Sequence, residues 1–261
     1  MAAELEVSKT QSQFRRIMKQ LLRNRRAVVG GIVLLIIVFM AILAPYVTTH
    51  DPVKQNIRNQ LQPPSREHFF GTDQFGRDIY SRVIYGARLS LRVGFLAISF
   101  ALVVGCFLGL VSGYYGGWLD MIVMRVIDIL LALPGFLLAL SIVAALGPGL
   151  ENVIMAIGVS YIPSFARMMR SAVLATRELD YVDAAQALGA SDWRIIFQHI
   201  LPNSISPIIV LTTLSMAGAI LSAAGLGFFG VGGQPPTPEA VSFSNLRGPQ
   251  DGPELVCRLF L

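Results

Sequence analysis

SLRVGFLAISFALVVGCFLGLVSG, residues 90–113, carries no charged side chain after Arg92. A helix needs roughly 20 predominantly apolar residues to cross a hydrocarbon core about 30 Å thick, and this stretch has that length. Gly105, Gly109 and Gly113 recur within it at intervals of four. That spacing lays a smooth ridge along one helix face, through which helices in lipid pack closely. The ridge fits either a helix of the same chain or one of a neighbouring subunit.

Four further apolar runs flank it, at residues 27–48, 119–146, 152–168 and 203–230, the fourth of the five being the shortest. Together they predict an all-α, polytopic transmembrane helical bundle of about five spans. Pro134 and Pro163 are expected to kink the third and fourth, because proline removes a backbone donor that neighbours or water must compensate. Composition agrees: of 261 residues 54% are hydrophobic and 14% charged, where soluble domains carry about 25% charged residues. The net charge of +5 does not point to nucleic acid, since the Lys and Arg residues flank apolar runs and are not interleaved with aromatics.

Those cations set the orientation. Arg15, Arg16, Lys19, Arg23, Arg25 and Arg26 precede the first run, which by the positive-inside rule keeps the N-terminal arm, residues 1–26, in the cytoplasm. The run exceeds the 7–15 residues of a signal-peptide core and reads as an uncleaved anchor. Residues 49–89 then fall outside, although Lys54, Arg58, Arg66, Arg77, Arg82 and Arg88 lie there, partly balanced by Asp51, Glu67, Asp73 and Asp78. Residues 90–230 form the permeating core, with a turn inside at 114–118, a turn outside at 147–151 and a long polar loop inside at 169–202. Arg170, Arg177 and Arg194 within that loop, and Arg167 just before it, agree with the inside placement. The tail, 231–261, is rich in Gly and Pro and is expected outside.

Other signals carry less. Asp120, Arg125 and Asp128 stand near the start of the third span, where charges in lipid are costly and paired. Arg125 and Asp128, three apart, are expected to form an ion pair on one face, either structural or involved in gating. Cys106 and Cys257 offer no disulfide framework. His50, His68 and His199 are scattered, so no metal site is expected. Gly225, Gly227 and Gly230 spell G-x-G-x-x-G, but at the end of an apolar helix and not between a strand and a helix. No P-loop occurs, so ATP has no site here.

The segment ELDYVDAAQALGASDWRIIFQHILP, residues 178–202, reads as two short helices joined at a glycine. Asp180 is expected to cap the first, with Asp183 complementing the helix dipole. Gly189 ends it, Ser191 caps the second and Pro202 interrupts that one. Asp183, Ala184, Ala185, Gly189, Leu201 and Pro202 reproduce the spacing of the signature loop of binding-protein-dependent ABC permeases, which the chain resembles. Two positions depart from the usual pattern: Asp183 stands for Glu, and His199 for Ile. FGTDQFGRDIYSRVIYGARLSLRVGF (70–95), GYYGGWLDMIVMRVIDILLALP (113–134) and QPPTPE (234–239) are similar to the dipeptide and oligopeptide subfamily, whereas residues 240–261 do not resemble its Trp-Gly and sixth-span ending.

The resemblance implies a type I ABC importer permease fold in a bacterial-type inner membrane and the import of peptides, with nickel or glutathione as alternatives. It implies no catalysis and no cofactor on this chain, ATP and Mg being held by partner subunits. The partners implied are a second homologous permease, two cytoplasmic ATPases docking on the loop around Asp183 and Gly189, an extracytoplasmic substrate-binding protein and membrane lipid. An ion-coupled secondary transporter is expected to show ionisable groups near the bilayer midplane and two broken helices in related halves, neither of which is clear here. A non-transporting scaffold is suggested only by the unusual segment 240–261.

Overall fold

A computed structural model describes residues 25–231, and every regular element among them is helical. The described residues fall into two compact units divided after Thr49. Most of the N-terminal arm and the tail beyond Val231, with its QPPTPE motif, lie outside the described residues.

In the first unit, α1 (Arg25–Ile42) starts in the basic cluster and is apolar on all sides from Val28 onward. Leu43 interrupts it, and α2 (Ala44–Val47) takes Pro45 in its first turn, where a missing N–H costs little. The expected span 27–48 is thus two helical pieces.

The second unit opens with an irregular segment containing one 3₁₀ turn (Ile57–Asn59) and leads into α3 (Ile79–Tyr115). Asp78 starts α3 by accepting the Ser81 N–H at 2.8 Å on its Oδ2, a bond that satisfies one of the orphan donors of the first turn. At 37 residues α3 is about 55 Å long, so it outreaches the hydrocarbon core. There follow α4 (Gly117–Leu131), α5 (Gly135–Leu146) and α6 (Leu150–Arg177). The chain then forms α7 (Asp180–Ala187), α8 (Asp192–Arg194), a π-helical segment (Ile195–Ile200) and α9 (Leu201–Phe228).

Among the described residues two helical stretches are long and apolar enough to cross a membrane alone, Ile79–Tyr115 and Asp192–Phe228. The expected third span is a pair, α4 and α5, bent by 87° at a break that ends on Pro134, far more than a proline kink. Proline at that point leaves its predecessor outside the α region as well as lacking a donor, and α5 starts afresh. The fourth is the continuous α6, through which Pro163 passes buried. Ser160, Tyr161, Ser164 and Arg167 dilute its apolar character.

That dilution has a reason in the packing. Helix α6 is the hub of the unit: α3 lies along it most extensively, and α5, α9 and α4 also pack on it. A helix surrounded by protein has no need of an apolar surface toward lipid. Its buried residues Phe165, Ala166, Met169 and Val173 meet the glycine ridge of α3. A Cβ on Gly109 would lie 2.3 Å from the Ala166 carbonyl oxygen, and one on Gly105 2.6 Å from Phe165 Cβ. The ridge therefore serves packing within the chain, and bare backbone sets the α3–α6 distance.

Candidate coupling site

The two short helices α7 and α8 sit at the point where α6 ends and the long path to Phe228 begins. Helix α7 does not use the expected cap. Leu179 occupies the cap position without a side-chain bond, and Asp180 and Asp183 lie in the first turn, where carboxylates complement the positive end of the helix dipole. Its C-terminal end follows the expectation closely. Gly189, at φ +77°, donates to Gln186 O at 2.9 Å, and Ala190 donates to Ala185 O at 3.1 Å. This pair of bonds is a Schellman ending, which needs a left-handed residue at the glycine position. Ala185 and Ala190 both pack against the core, completing the apolar contact of that motif.

Helix α8 has Ser191 at its cap, again with no side-chain bond. Pro202 does not interrupt the helix that follows. The backbone widens into the π segment, with Leu201 N–H donating to Ile196 O, and Pro202 falls in the first turn of α9. There its missing N–H is tolerated. The Asn203 side-chain amide donates to His199 O at 2.7 Å and to the Tyr181 hydroxyl at 3.0 Å, tying the start of α9 to α7. His199 lies near Tyr181 in turn, with ring centroids 6.2 Å apart.

The anchors are few and deep. Val182, Ile195 and Ile200 are buried to 1% exposure or less. Tyr114, near the end of α3, donates its hydroxyl to Asp192 Oδ1 at 2.9 Å, and Arg177, the last residue of α6, donates to Tyr114 O at 2.8 Å. The hydroxyls of Thr176 and Ser204 join α6 to α9 at 3.3 Å. The α7–α8 unit is thus tied to α3 through Asp192 and to α9 through Tyr181, and both of those helices are bonded to the end of α6.

Opposite these anchors the surface is apolar and open. Leu188 is 89% exposed and Trp193 72%, and Trp193 stacks on Phe197 with ring centroids 4.3 Å apart. Of the residues singled out by the motif, Asp183, Ala184 and Gly189 are exposed, Ala185 is half-buried, and Leu201 and Pro202 lie at the base where α9 starts. Motif spacing pointed to the small residues but not to Leu188, Trp193 and Phe197. Their signal was their size in a segment otherwise polar.

The two carboxylates of α4 find partners on α6 and not on α4 itself. Arg170 binds Asp120 through two donors, at 2.5 and 2.6 Å, and Arg167 binds Asp128 at 2.8 Å. The expected Arg125–Asp128 pair is replaced by the Arg167–Asp128 one. The G-x-G-x-x-G glycines end α9: Gly230, at φ +75°, donates to Gly227 O, and Val231 to Leu226 O, a second Schellman ending.

Comparison with known proteins places these features. The profile of binding-protein-dependent transport system inner membrane components matches residues 79–247, and that of the N-terminal membrane domain of oligopeptide transport permease C matches residues 12–64. A dipeptide transport system permease protein of Alkalihalophilus pseudofirmus is 52% identical over 228 residues, covering 87% of this chain and 75% of that protein. A glutathione transport system permease protein of Pectobacterium atrosepticum is 40% identical over 227 residues, with coverage of 87% and 75%. Among solved structures, an inward facing form of a methionine ABC transporter matches with a TM-score of 0.53 at 23% identity, over 59% of this chain and 77% of that one. At that identity the likeness speaks for the fold, an all-helical ABC importer permease.

Proposed function

This chain belongs to the binding-protein-dependent transport system inner membrane components, and on that premise we propose that it moves peptides inward across the cytoplasmic membrane as the permease subunit of an ATP-driven importer. It is a transport subunit and not an enzyme, as its relatives are permease proteins. Peptide cargo is supported by the dipeptide permeases among its relatives at 52% and 44% identity.

The observation that carries the mechanism is the α7–α8 unit, anchored beneath by Val182, Ile195 and Ile200 and bare above at Ala184, Leu188 and Trp193. Large apolar side chains presented on a rigid, polar-edged knuckle suit a protein groove. The groove belongs to a cytoplasmic ATPase in this reading. Asp183 and Ala184 face it, Ala185 seats the helix, and Gly189 sets the angle between α7 and α8. Leu201 and Pro202 pass the motion into α9. Nucleotide and magnesium are bound by two such ATPases, and a second, homologous permease and an extracytoplasmic binding protein complete the assembly. Residues 169–202, from the last turns of α6 through α7 and α8 to the start of α9, lie on the cytoplasmic side in this reading, and residues 49–89 face the opposite side.

The reading is tested on the full transporter in proteoliposomes, by peptide uptake and ATP hydrolysis. Gly189→Val forces a β-branched residue into the left-handed region, at a cost of about 1–2 kcal/mol. It is expected to leave the helical content of the chain unchanged while lowering ATP-driven uptake at least tenfold. Leu188→Asp is expected to weaken ATPase co-purification. Full uptake in both variants would overturn the coupling role. Competition of dipeptide uptake by glutathione distinguishes the two cargo classes found among the relatives.

A further inference from the structure

Two of the three histidines that look scattered in the sequence, His50 and His68, come together in space. His50 and His68 stack with ring centroids 4.7 Å apart and planes at 36°, and Asp78 joins them. One ligand atom from each of the three lies within 4.8 Å of the other two. We infer that His50, His68 and Asp78 form a binding site for a divalent first-row transition-metal ion, with zinc as the representative.

Geometry supports this first. His68 Nδ1 and Asp78 Oδ1 are 3.0 Å apart. Two ligands bound tetrahedrally at about 2.0–2.1 Å are separated by roughly 3.3 Å, so this pair already stands at the spacing of two ligands on one ion. The His50 ring stands beside this pair, its ligand atom within 4.8 Å of the other two. The donor chemistry is selective: two imidazoles and one carboxylate suit zinc, cobalt or nickel, whereas magnesium and calcium take oxygen donors.

The ligands are also held from behind, as a metal site requires. Asp78 is pinned through Oδ2 to the Ser81 N–H at 2.8 Å, which leaves Oδ1 toward the histidines. His50 donates its backbone N–H to Ser81 Oγ at 3.2 Å. His68 and Ser65 are joined by two bonds, His68 N–H to Ser65 Oγ at 3.0 Å and Ser65 N–H to His68 O at 2.8 Å. His68 and Asp78 are 6% and 3% exposed. A His68–Asp78 bond alone would account for two of these residues as a structural pair. A second imidazole, that of the half-buried His50, is also brought against the first, an apposition that a shared cation would turn into binding. The ion would clamp both ends of the segment 50–68 onto the start of α3, with water in the remaining position. This inference is independent of the coupling reading.

The test uses the full chain purified in detergent, stripped with a chelator and titrated with Zn²⁺ against a chromophoric competitor. One ion per chain is expected. His50→Ala, which leaves the His68–Asp78 bond in place, is expected to weaken binding at least tenfold, whereas His199→Ala leaves it unchanged. Absence of stoichiometric binding, or equal affinity in His50→Ala and the unaltered chain, would overturn the site. Should His50→Ala prove poorly folded by circular dichroism, X-ray absorption at the zinc edge of the loaded unaltered chain decides instead. Two imidazoles with oxygen ligands are expected, and a shell with fewer than two imidazoles refutes the assignment.

Discussion

Two stretches of 37 residues cross this molecule, and they are built for different neighbours. In its most apolar 18-residue window Ile79–Tyr115 is 44% buried inside the chain, and Asp192–Phe228 only 17%. The first is packed by its own subunit, glycine ridge to α6. The second starts in the α7–α8 knuckle and then offers most of its apolar surface outward. One helix therefore defines the core, and the other leaves most of its apolar surface for neighbours outside the chain. Hydrophobicity alone does not separate them; the position of small residues does, because only bare backbone lets two helices approach within side-chain distance.

The sharpest way to break this contrast is at the ridge. Gly109→Leu places a side chain where even a Cβ would lie 2.3 Å from backbone. Neither helix can yield there without losing its other contacts. The expected outcome is no folded chain recovered from membranes, read by size-exclusion in detergent. A monodisperse product would mean that α3 and α6 are not the rigid pair described.

The next effect lies at the foot of α3. Asp73 accepts from the Phe75 N–H at 2.8 Å, from the Arg77 N–H at 2.9 Å and from the Arg77 and Arg82 guanidinia at 2.8 and 2.7 Å. Burial would raise its pKa, but the Arg77 and Phe75 backbone N–H groups and the Arg77 side chain outweigh it and hold the carboxyl below the ordinary range. Asp73→Asn removes the negative charge shared by two largely buried guanidinia, and removing one partner of such a pair costs about 3–5 kcal/mol. A thermal midpoint drop of several degrees is expected, measured at neutral pH. Acid acts in the same sense. A carboxylate whose pKa is lowered on folding stabilises the fold at neutral pH, and that contribution is lost only as pH falls below the ordinary carboxylate range. The Asp73→Asn chain is expected to lack this part of the acid sensitivity.

Smaller again is Tyr114→Phe, which removes the hydroxyl bond to Asp192 at 2.9 Å. A single hydrogen bond is worth about 1 kcal/mol, so stability changes little. Because the bond links the end of α3 to α8, ATP-coupled uptake is expected to fall several-fold with ATP hydrolysis maintained. Uptake and hydrolysis falling in parallel would place the transmission elsewhere.

What could be read from the sequence follows the range of the interaction. Apolar runs and the Gly189 ending are local, within one helix or one turn, and both were legible. The break at Pro134 was visible as a proline but not as an 87° bend, since the angle depends on how α5 docks on α6. Pro202 looked like a terminator because its consequence was judged against an α-helix; a π segment before it removes the conflict. The Arg125–Asp128 pairing failed because spacing reports neighbours on one helix, and the partner that won, Arg167, comes from another. Tyr114 and Asp192, 78 positions apart, leave no local trace, and neither do His50, His68 and Asp78, which an irregular segment brings together.

The smallest effect tests the other half of the contrast. Val210, Leu214 and Leu221 lie at intervals of four and seven along α9, one helix face, and are 59%, 69% and 73% exposed. Side chains so exposed make few contacts within the chain, so Leu214→Ala with Leu221→Ala should alter the stability of the isolated chain by no more than about 0.5 kcal/mol. Lipid solvates alanine and leucine alike, so if this face met lipid alone, assembly too would be unaffected. The outward face of α9 is instead expected to meet the second permease, in which case the doubly truncated chain recovers less of it on co-purification while the thermal midpoint of the isolated chain holds. Unchanged recovery would assign that face to lipid.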